Sequence, residues 1–281
     1  MLRILIDGSA DMPESWVKEY QLNILPMPIQ FGQKTYYQGE DLTPEQFYQL
    51  TEINENHPQS AAPSPARIQA FIEKVSEIGD TVLSLNVSGN MSATITMVRH
   101  AASALKGKIS VIPFDSQAGS AALGFLAREA RLREQAGQTL EEILVGLTKM
   151  REKLMIVLTV DNLDFAHRSG RVSLLKKALT SVLDIKPIIT LQNGSLNVAS
   201  VARTRKKSMV RLVSLVRERF DGIKVKVAVV HARDLKSGEI LKTMVENALS
   251  CTEIILTDLS ISVVANLGPK TVGLVAIPDK V

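Results

Sequence analysis

The stretch Thr81-Val-Leu-Ser-Leu-Asn-Val-Ser-Gly-Asn-Met-Ser-Ala-Thr94 decides the reading of the fold. It runs from a β-rich apolar segment, Thr81 to Val87, through a loop of small and hydroxyl-bearing residues into an expected helix over Ser92 to Leu105. A strand that passes into a helix through a short loop is the building unit of a parallel sheet, because parallel neighbours require a crossover. The same alternation continues outward in both directions. Upstream, Pro65 to Ile78 carries Ile68, Phe71, Ile72 and Val75 at helical spacing, with Ser64 as N-cap and Pro65 at the first helical position. Leu2 to Ile6 reads as a strand, Pro13 to Tyr20 as a helix, Leu22 to Ile29 as an extended run, and Pro44 to Glu52 as a helix capped by Thr43. Downstream follow a strand over Ile109 to Phe114 and two helices, Ala118 to Ala136 and Leu140 to Glu152.

The second half has a different character. Lys186 to Leu191 and Ser195 to Val201 flank Gln192-Asn193-Gly194, and Asn-Gly between β-rich runs is a strong hairpin signal. A basic helix is expected over Thr204 to Arg219, then a strand over Lys224 to Val230, a helix over Lys236 to Leu249, a strand over Glu253 to Asp258 and a final run over Gly273 to Ile277. The 281 residues, 45% of them apolar, suffice for two lobes at about 150 residues each. The expected architecture is α/β: a parallel-sheet lobe over residues 1–158 and an α+β lobe with an antiparallel sheet over residues 159–281. Cys251 is the lone cysteine, so no intramolecular disulfide can form; its apolar setting is that of a packed thiol, and a reducing, cytoplasmic compartment fits. Asp7 comes too early for a signal peptide, and no apolar run approaches the roughly 18 residues of a spanning helix. A soluble protein follows, with at most transient contact at a membrane surface.

In an open parallel sheet, ligands gather beyond the carboxyl ends of the strands. Four loops there are rich in hydroxyls: Asp7 to Asp11, Ser60 to Pro65, Ser88 to Thr94, and Asp115-Ser116. In the third, Gly89 permits close backbone approach, and the helix beginning near Ser92 offers free N–H groups to an anion. The competing reading is that Ser88 or Ser92 simply caps that helix. Asp7 and Asp115 admit a metal-dependent phosphotransferase or hydrolase, but position 9 is Ser rather than a second Asp, no Lys lies in the adjacent loop, and capping or turn stabilisation is the favoured reading of Asp7. His57, His100, His167 and His231 fall at no metal-ligand spacing, and no nucleophile elbow, Walker loop or dinucleotide fingerprint is present. His231 reads as a packed or loop histidine.

Net charge is +4, yet residues 166–219 hold twelve Lys/Arg against two acids, a local +10 that leaves −6 elsewhere. This zone includes Arg168, Arg171, Lys176, Lys177, Arg203, Arg205 and Lys207. No aromatic lies between Phe165 and Phe220 to stack on bases, and no groove-reading helix is recognisable, which argues against nucleic acid. A solvated helix face, a docking surface for an acidic protein, and an anion-reading rim all remain open.

Several of these pieces together resemble the DegV family of bacterial lipid-binding proteins. They are Asp7-Gly-Ser-Ala-Asp11-Met-Pro13, Ser60 to Pro65, Ser88 to Thr94, Asp115-Ser116, Ser169-Gly-Arg171-Val-Ser173, Ile185-Lys-Pro187, Arg203-Thr-Arg-Lys-Lys207 and Gly268-Pro269. The resemblance implies a protein without catalytic residues or cofactor that holds a long-chain fatty acid between its lobes. It also implies presentation of the carboxylate to a separate ATP-dependent fatty acid kinase partner. On that reading Ser60, Ser88, Gly89, Ser92 and Asn266 surround the ligand head, while Arg171, Arg203 and Arg205 form a rim for the head group or the partner. The chain departs from the family pattern at Ala61, Ala62, Gly89 and Ala93, and Asn266 stands where the family has a histidine. Asn266 offers an N–H donor but carries no charge.

Overall fold

The computed structural model describes residues 1–54, 56–161, 163–171 and 185–280. In chain order the first half forms β1 (Leu2–Asp7), α1 (Glu14–Glu19), β2 (Leu22–Leu25), β3 (Pro28–Phe31), β4 (Lys34–Tyr37), α2 (Pro44–Ile53), β5 (Gln59–Ser60), α3 (Pro65–Val75), β6 (Thr81–Asn86), α4 (Thr94–Leu105), β7 (Ser110–Asp115), α5 (Ala121–Gln135) and α6 (Leu140–Lys153). The second half forms β8 (Met155–Thr159), α7 (Asp164–Ser169), β9 (Lys186–Gln192), β10 (Ser195–Ala202), α8 (Arg205–Arg219), β11 (Val225–His231), α9 (Leu235–Ala248), β12 (Cys251–Asp258), α10 (Ile261–Leu267) and β13 (Val272–Pro278). Local chemistry sets many of these boundaries. Thr43 and Thr139 form capping boxes with Gln46 and Glu142, and the Ser64 hydroxyl accepts from the Arg67 N–H. Pro44 and Pro65 occupy first helical positions, where no N–H is required.

The N-terminal sheet is wholly parallel, in the order β2-β1-β6-β7. The expected single run Leu22 to Ile29 is in fact two strands. Pro26 and Pro28 lack the N–H that a continuous ladder needs, so β2 ends at Leu25 and β3 turns away into a small antiparallel sheet, β4-β3-β5. The C-terminal sheet is mixed, in the order β10-β9-β8-β13-β11-β12, and only its β11/β12 pair is parallel. Asn193 and Gly194 both have positive φ, 50° and 74°, and close the β9–β10 hairpin at the expected place. The chain crosses between sheets after α6, so a division at residue 158 falls inside β8.

Five layers result. Helices α3 and α4 cover the outer face of the parallel sheet through Ile68, Ile72, Val98 and Leu105. Helices α8 and α9 cover the outer face of the mixed sheet through Met209, Leu212, Leu241 and Val245. Between the sheets lie α5 and α6, in one continuous core that joins Ile4, Leu83, Phe125 and Leu147 to Ile156, Ala228 and Val275. Residues 121–127 of α5 are all buried, the signature of a helix with neighbours on every side. At one end of this stack, α10 packs against α7, β3 and β5. Cys251 is half-buried and burial pushes its thiol pKa up, as a packed thiol requires. Ser173, Lys176 and Lys177 lie outside the described residues.

Candidate functional site

The carboxyl ends of the parallel strands are organised by buried carboxylates. Asp7, at the end of β1, accepts from the Ser9 N–H at 3.0 Å, the Ser9 hydroxyl, and the Val87 N–H at 2.6 Å. It thereby ties the first loop to the end of β6; burial pushes its pKa up and these hydrogen bonds oppose the shift. Asp115 accepts from the N–H groups of Gln117 at 2.8 Å and Gly89 at 3.3 Å. Both carboxylates thus serve as turn acceptors, and among the described residues no group of three or more His, Cys, Asp and Glu could hold a metal. Asp11 connects the lobes. It accepts from the Ser120 hydroxyl and, at 2.7 Å, from the Ser260 N–H that precedes α10, and burial raises its pKa to about 7.

Beneath these loops, at the seam of the two sheets, lies a cavity of about 330 Å³. Ile156 and Leu158 of β8, Leu191 of β9 and Leu196 of β10 form one wall. Met27, Val87, Met91 and Ala93 come from the first lobe, and Val263 and Leu267 from α10. The polar groups are few: Ser9, Ser60, Ser92, Ser120, Arg171, Ser262 and Asn266. An apolar chamber with a few convergent polar groups is the common form of a small-molecule site.

Four of the expected site residues therefore meet on this cavity, Ser60, Ser92, Arg171 and Asn266. Asn266 Nδ2 donates to the Ser60 hydroxyl at 2.8 Å and to the Ser262 carbonyl at 2.7 Å. Both amide donors are thus committed, and the Ser60 hydroxyl, having accepted, keeps its own hydrogen to offer a ligand. Ser92 Oγ accepts from the Thr94 N–H at 3.2 Å and lies 2.8 Å from Thr94 Oγ1, so it too can donate. The helix proper begins at Thr94, two residues past the expected start, with Ala93 as N-cap. Arg171 Nη1 donates to the Ser169 carbonyl at 2.7 Å, and no carboxylate pairs with it among the described residues.

The remaining expected residues stand elsewhere. Ser88 is buried, but its hydroxyl already donates to the Gly194 carbonyl at 2.7 Å, so it does not line the cavity. Gly89 is exposed and its N–H faces Asp115. Arg205 opens α8, pairs with Asp234 at 3.1 Å and donates to the Lys270 carbonyl, an arrangement internal to the second lobe. Arg203 is exposed just beyond β10. Sequence reasoning missed the contribution of α10, which sets Ser262 and Asn266 one turn apart on one face. Arg171 and Asn266 also border a second, polar cleft of about 660 Å³ lined by His57, His167 and Arg168. His57 packs against Phe165 with the rings tilted at 52° and centroids 4.0 Å apart, and burial, then the nearby Arg168, lowers its pKa.

The fold and the cavity define a class: two-lobe α/β proteins that enclose an apolar chamber at the seam between a parallel and a mixed sheet. Within that class, the chain belongs to the DegV family, whose profile, described as "Uncharacterised protein, DegV family", matches residues 1–279. The chain is 26% identical over 275 residues to the DegV domain-containing protein lin2658 of Listeria innocua, covering 97% of each. It is 27% identical over 246 residues to Protein DegV of Bacillus subtilis, covering 86% of this chain and 87% of that one. Among solved structures, a DegV family protein from Thermus thermophilus described for its fatty acid binding superposes with a TM-score of 0.88 at 25% identity, over 99% of both chains. DegV of Bacillus subtilis, described as a fatty acid binding protein, superposes with a TM-score of 0.87 at 25% identity, again over 99% of both.

Proposed function

We propose that this protein is a non-catalytic, cytoplasmic carrier that binds one long-chain fatty acid in the seam cavity. The observation that carries the reading is an aliphatic chamber whose donors, Ser60, Ser92 and Arg171, converge where Asn266 orients the Ser60 hydroxyl. The described binding of fatty acid by the two structural relatives supports it. About 14 buried methylenes at roughly 0.8 kcal/mol each contribute on the order of 11 kcal/mol before the cost of association. A charge-assisted hydrogen bond adds about 1.5–3 kcal/mol. The tail therefore supplies affinity, and the hydroxyls and Arg171 supply orientation.

The head group, on this reading, faces the polar cleft and is presented there to an ATP-dependent fatty acid kinase that phosphorylates it. The exposed side chains of Arg203, Lys206 and Lys207 offer that partner a basic surface. Native mass spectrometry of protein purified from a bacterial host is expected to show the mass of one fatty acid above the polypeptide. A spectrum that remains ligand-free after incubation with palmitate and oleate overturns the reading. Incubating the loaded protein with the kinase and ATP, then trapping acyl phosphate with hydroxylamine, tests presentation separately.

A further inference from the structure

The walls of the seam cavity are not equally anchored. Ile156 and Leu158 belong to β8, which is hydrogen-bonded to β9 on one side and β13 on the other. The wall formed by Leu191 and Leu196 is different. These two residues are a cross-strand pair near the tip of the β9–β10 hairpin. Strand β9 pairs with β8 only through Ile188, Ile189 and Thr190, so the segment from Leu191 to Leu196 extends past that ladder. Among the described residues its backbone makes no backbone–backbone hydrogen bond outside the hairpin. Strand β10 is the sheet edge, and its register slips between Val198 and Ser200, the irregularity at which a ribbon bends.

The projecting arm is held at its tip by two side chains of the first lobe. Ser88 Oγ donates to the Gly194 carbonyl at 2.7 Å, and Asn90 Nδ2 donates to the Asn193 carbonyl at 2.9 Å. Both donors belong to the loop that also places Met91 and Ser92 on the cavity. The fit at the tip is close: a Cβ on Gly194 would lie 2.4 Å from Ser88 Oγ. A hairpin closed by positive-φ residues therefore has its turn carbonyls pointed at the opposite lobe and captured there.

We infer that the β9–β10 arm is the gate of the cavity and that Ser88 and Asn90 are its latch. The inference rests on the reading of the cavity as a fatty acid site. A tail buried at the seam needs one wall to yield, and from Leu191 to Leu196 the arm carries two lining side chains with no backbone bond to β8. Opening it breaks two side chain to carbonyl hydrogen bonds and gives those carbonyls to water, a modest exchange. Ser88, expected at the ligand head, thereby acquires a positioning role through the arm.

The test uses the full chain with Ser88→Ala, Asn90→Ala and the double substitution, and Gly194→Ala as an independent way to displace the tip. In ligand-free protein, amides of residues 190–198 are expected to exchange with deuterium about fivefold faster in the double variant, with β1 and β6 unchanged. By stopped flow with cis-parinaric acid, association and dissociation are both expected to accelerate about tenfold, leaving Kd within about threefold. Unchanged exchange in the arm overturns the latch. Faster exchange with unaltered ligand kinetics, or a loss of affinity carried by dissociation alone, overturns the gate. If the wild-type chain takes up no fatty acid, the proposed function fails, whereas the latch is still decided by the amide exchange.

Discussion

Replacing Asp11 with Asn is expected to change how stability depends on pH. Asp11 is buried where the first loop meets the residue preceding α10, and burial raises its pKa to about 7. An unfolded aspartate titrates near 3.9, so the folded state binds the proton more tightly. Stability therefore falls as pH rises from about 4 to about 7 and is level beyond. At 1.36 kcal/mol per pH unit, the ionisation cost reaches about 1.5 kcal/mol at pH 5 and about 4 kcal/mol at pH 8. Asn keeps both contacts, since its Oδ1 can accept from the Ser260 N–H and its Nδ2 can donate to the Ser120 hydroxyl, but it does not titrate. Urea unfolding of both proteins at pH 5, 6, 7 and 8 is the assay. The variant is expected to gain about 2.5 kcal/mol relative to wild type between pH 5 and pH 8. A stability difference constant to within about 0.5 kcal/mol over that range refutes the reasoning, because other carboxylates cancel in the comparison.

At the acid end the sign reverses: hydrogen bonds from the N-terminal ammonium and Arg3 hold the Asp80 carboxyl well below its usual range. Stability from Asp80 is thus present above pH 4 and lost as pH falls further, and Asp80→Asn is expected to flatten the unfolding curve there. Ser60→Ala and Ser92→Ala are each expected to weaken binding of palmitate about threefold to thirtyfold, measured by calorimetry. Asn266→Asp, which sets a carboxylate beside the Ser60 hydroxyl, is expected to weaken it by at least about tenfold, an effect that shrinks as pH is lowered. Gly124→Ala would bring a Cβ to 2.6 Å from the Asp11 carbonyl, and a loss of about 1–3 kcal/mol is expected in urea unfolding.

How much of this was legible in the sequence follows from where the governing forces lie. Local signals sufficed where the backbone is decided locally: Thr43-Pro44 and Ser64-Pro65 open helices, and Asn193-Gly194 closes a hairpin. Lys34–Tyr37 carried no such mark, since its strand exists only through pairing with Pro28–Phe31. Ile261–Leu267 has an apolar, β-branched composition and becomes helical because Ser260 and the core around Leu259 and Val264 hold it. That tertiary override explains why Ser262 was not seen beside Asn266. Of the hydroxyl loops, Ser9, Ser60 and Ser92 reach the cavity, whereas Ser88, four residues before Ser92, faces a hairpin 106 positions away in sequence. No spacing rule in one strand-to-helix loop could have foretold that distant acceptor.

The helix at the centre of the stack constrains how the molecule can work and how it can change. Because Ala121 to Ala127 are enclosed all round, neither half of the chain can be excised without baring two helical turns that have no polar side to turn to water. The two sheets are consequently welded to a common spar, and scissor-like motion between them would tear the interior rather than slide it. Adaptation to a longer or shorter guest must then come from exchanging side chains on the chamber wall, such as Met27, Met91 or Leu196, while the frame stays constant. A lineage can retune its cargo by point substitution and leave the chassis untouched.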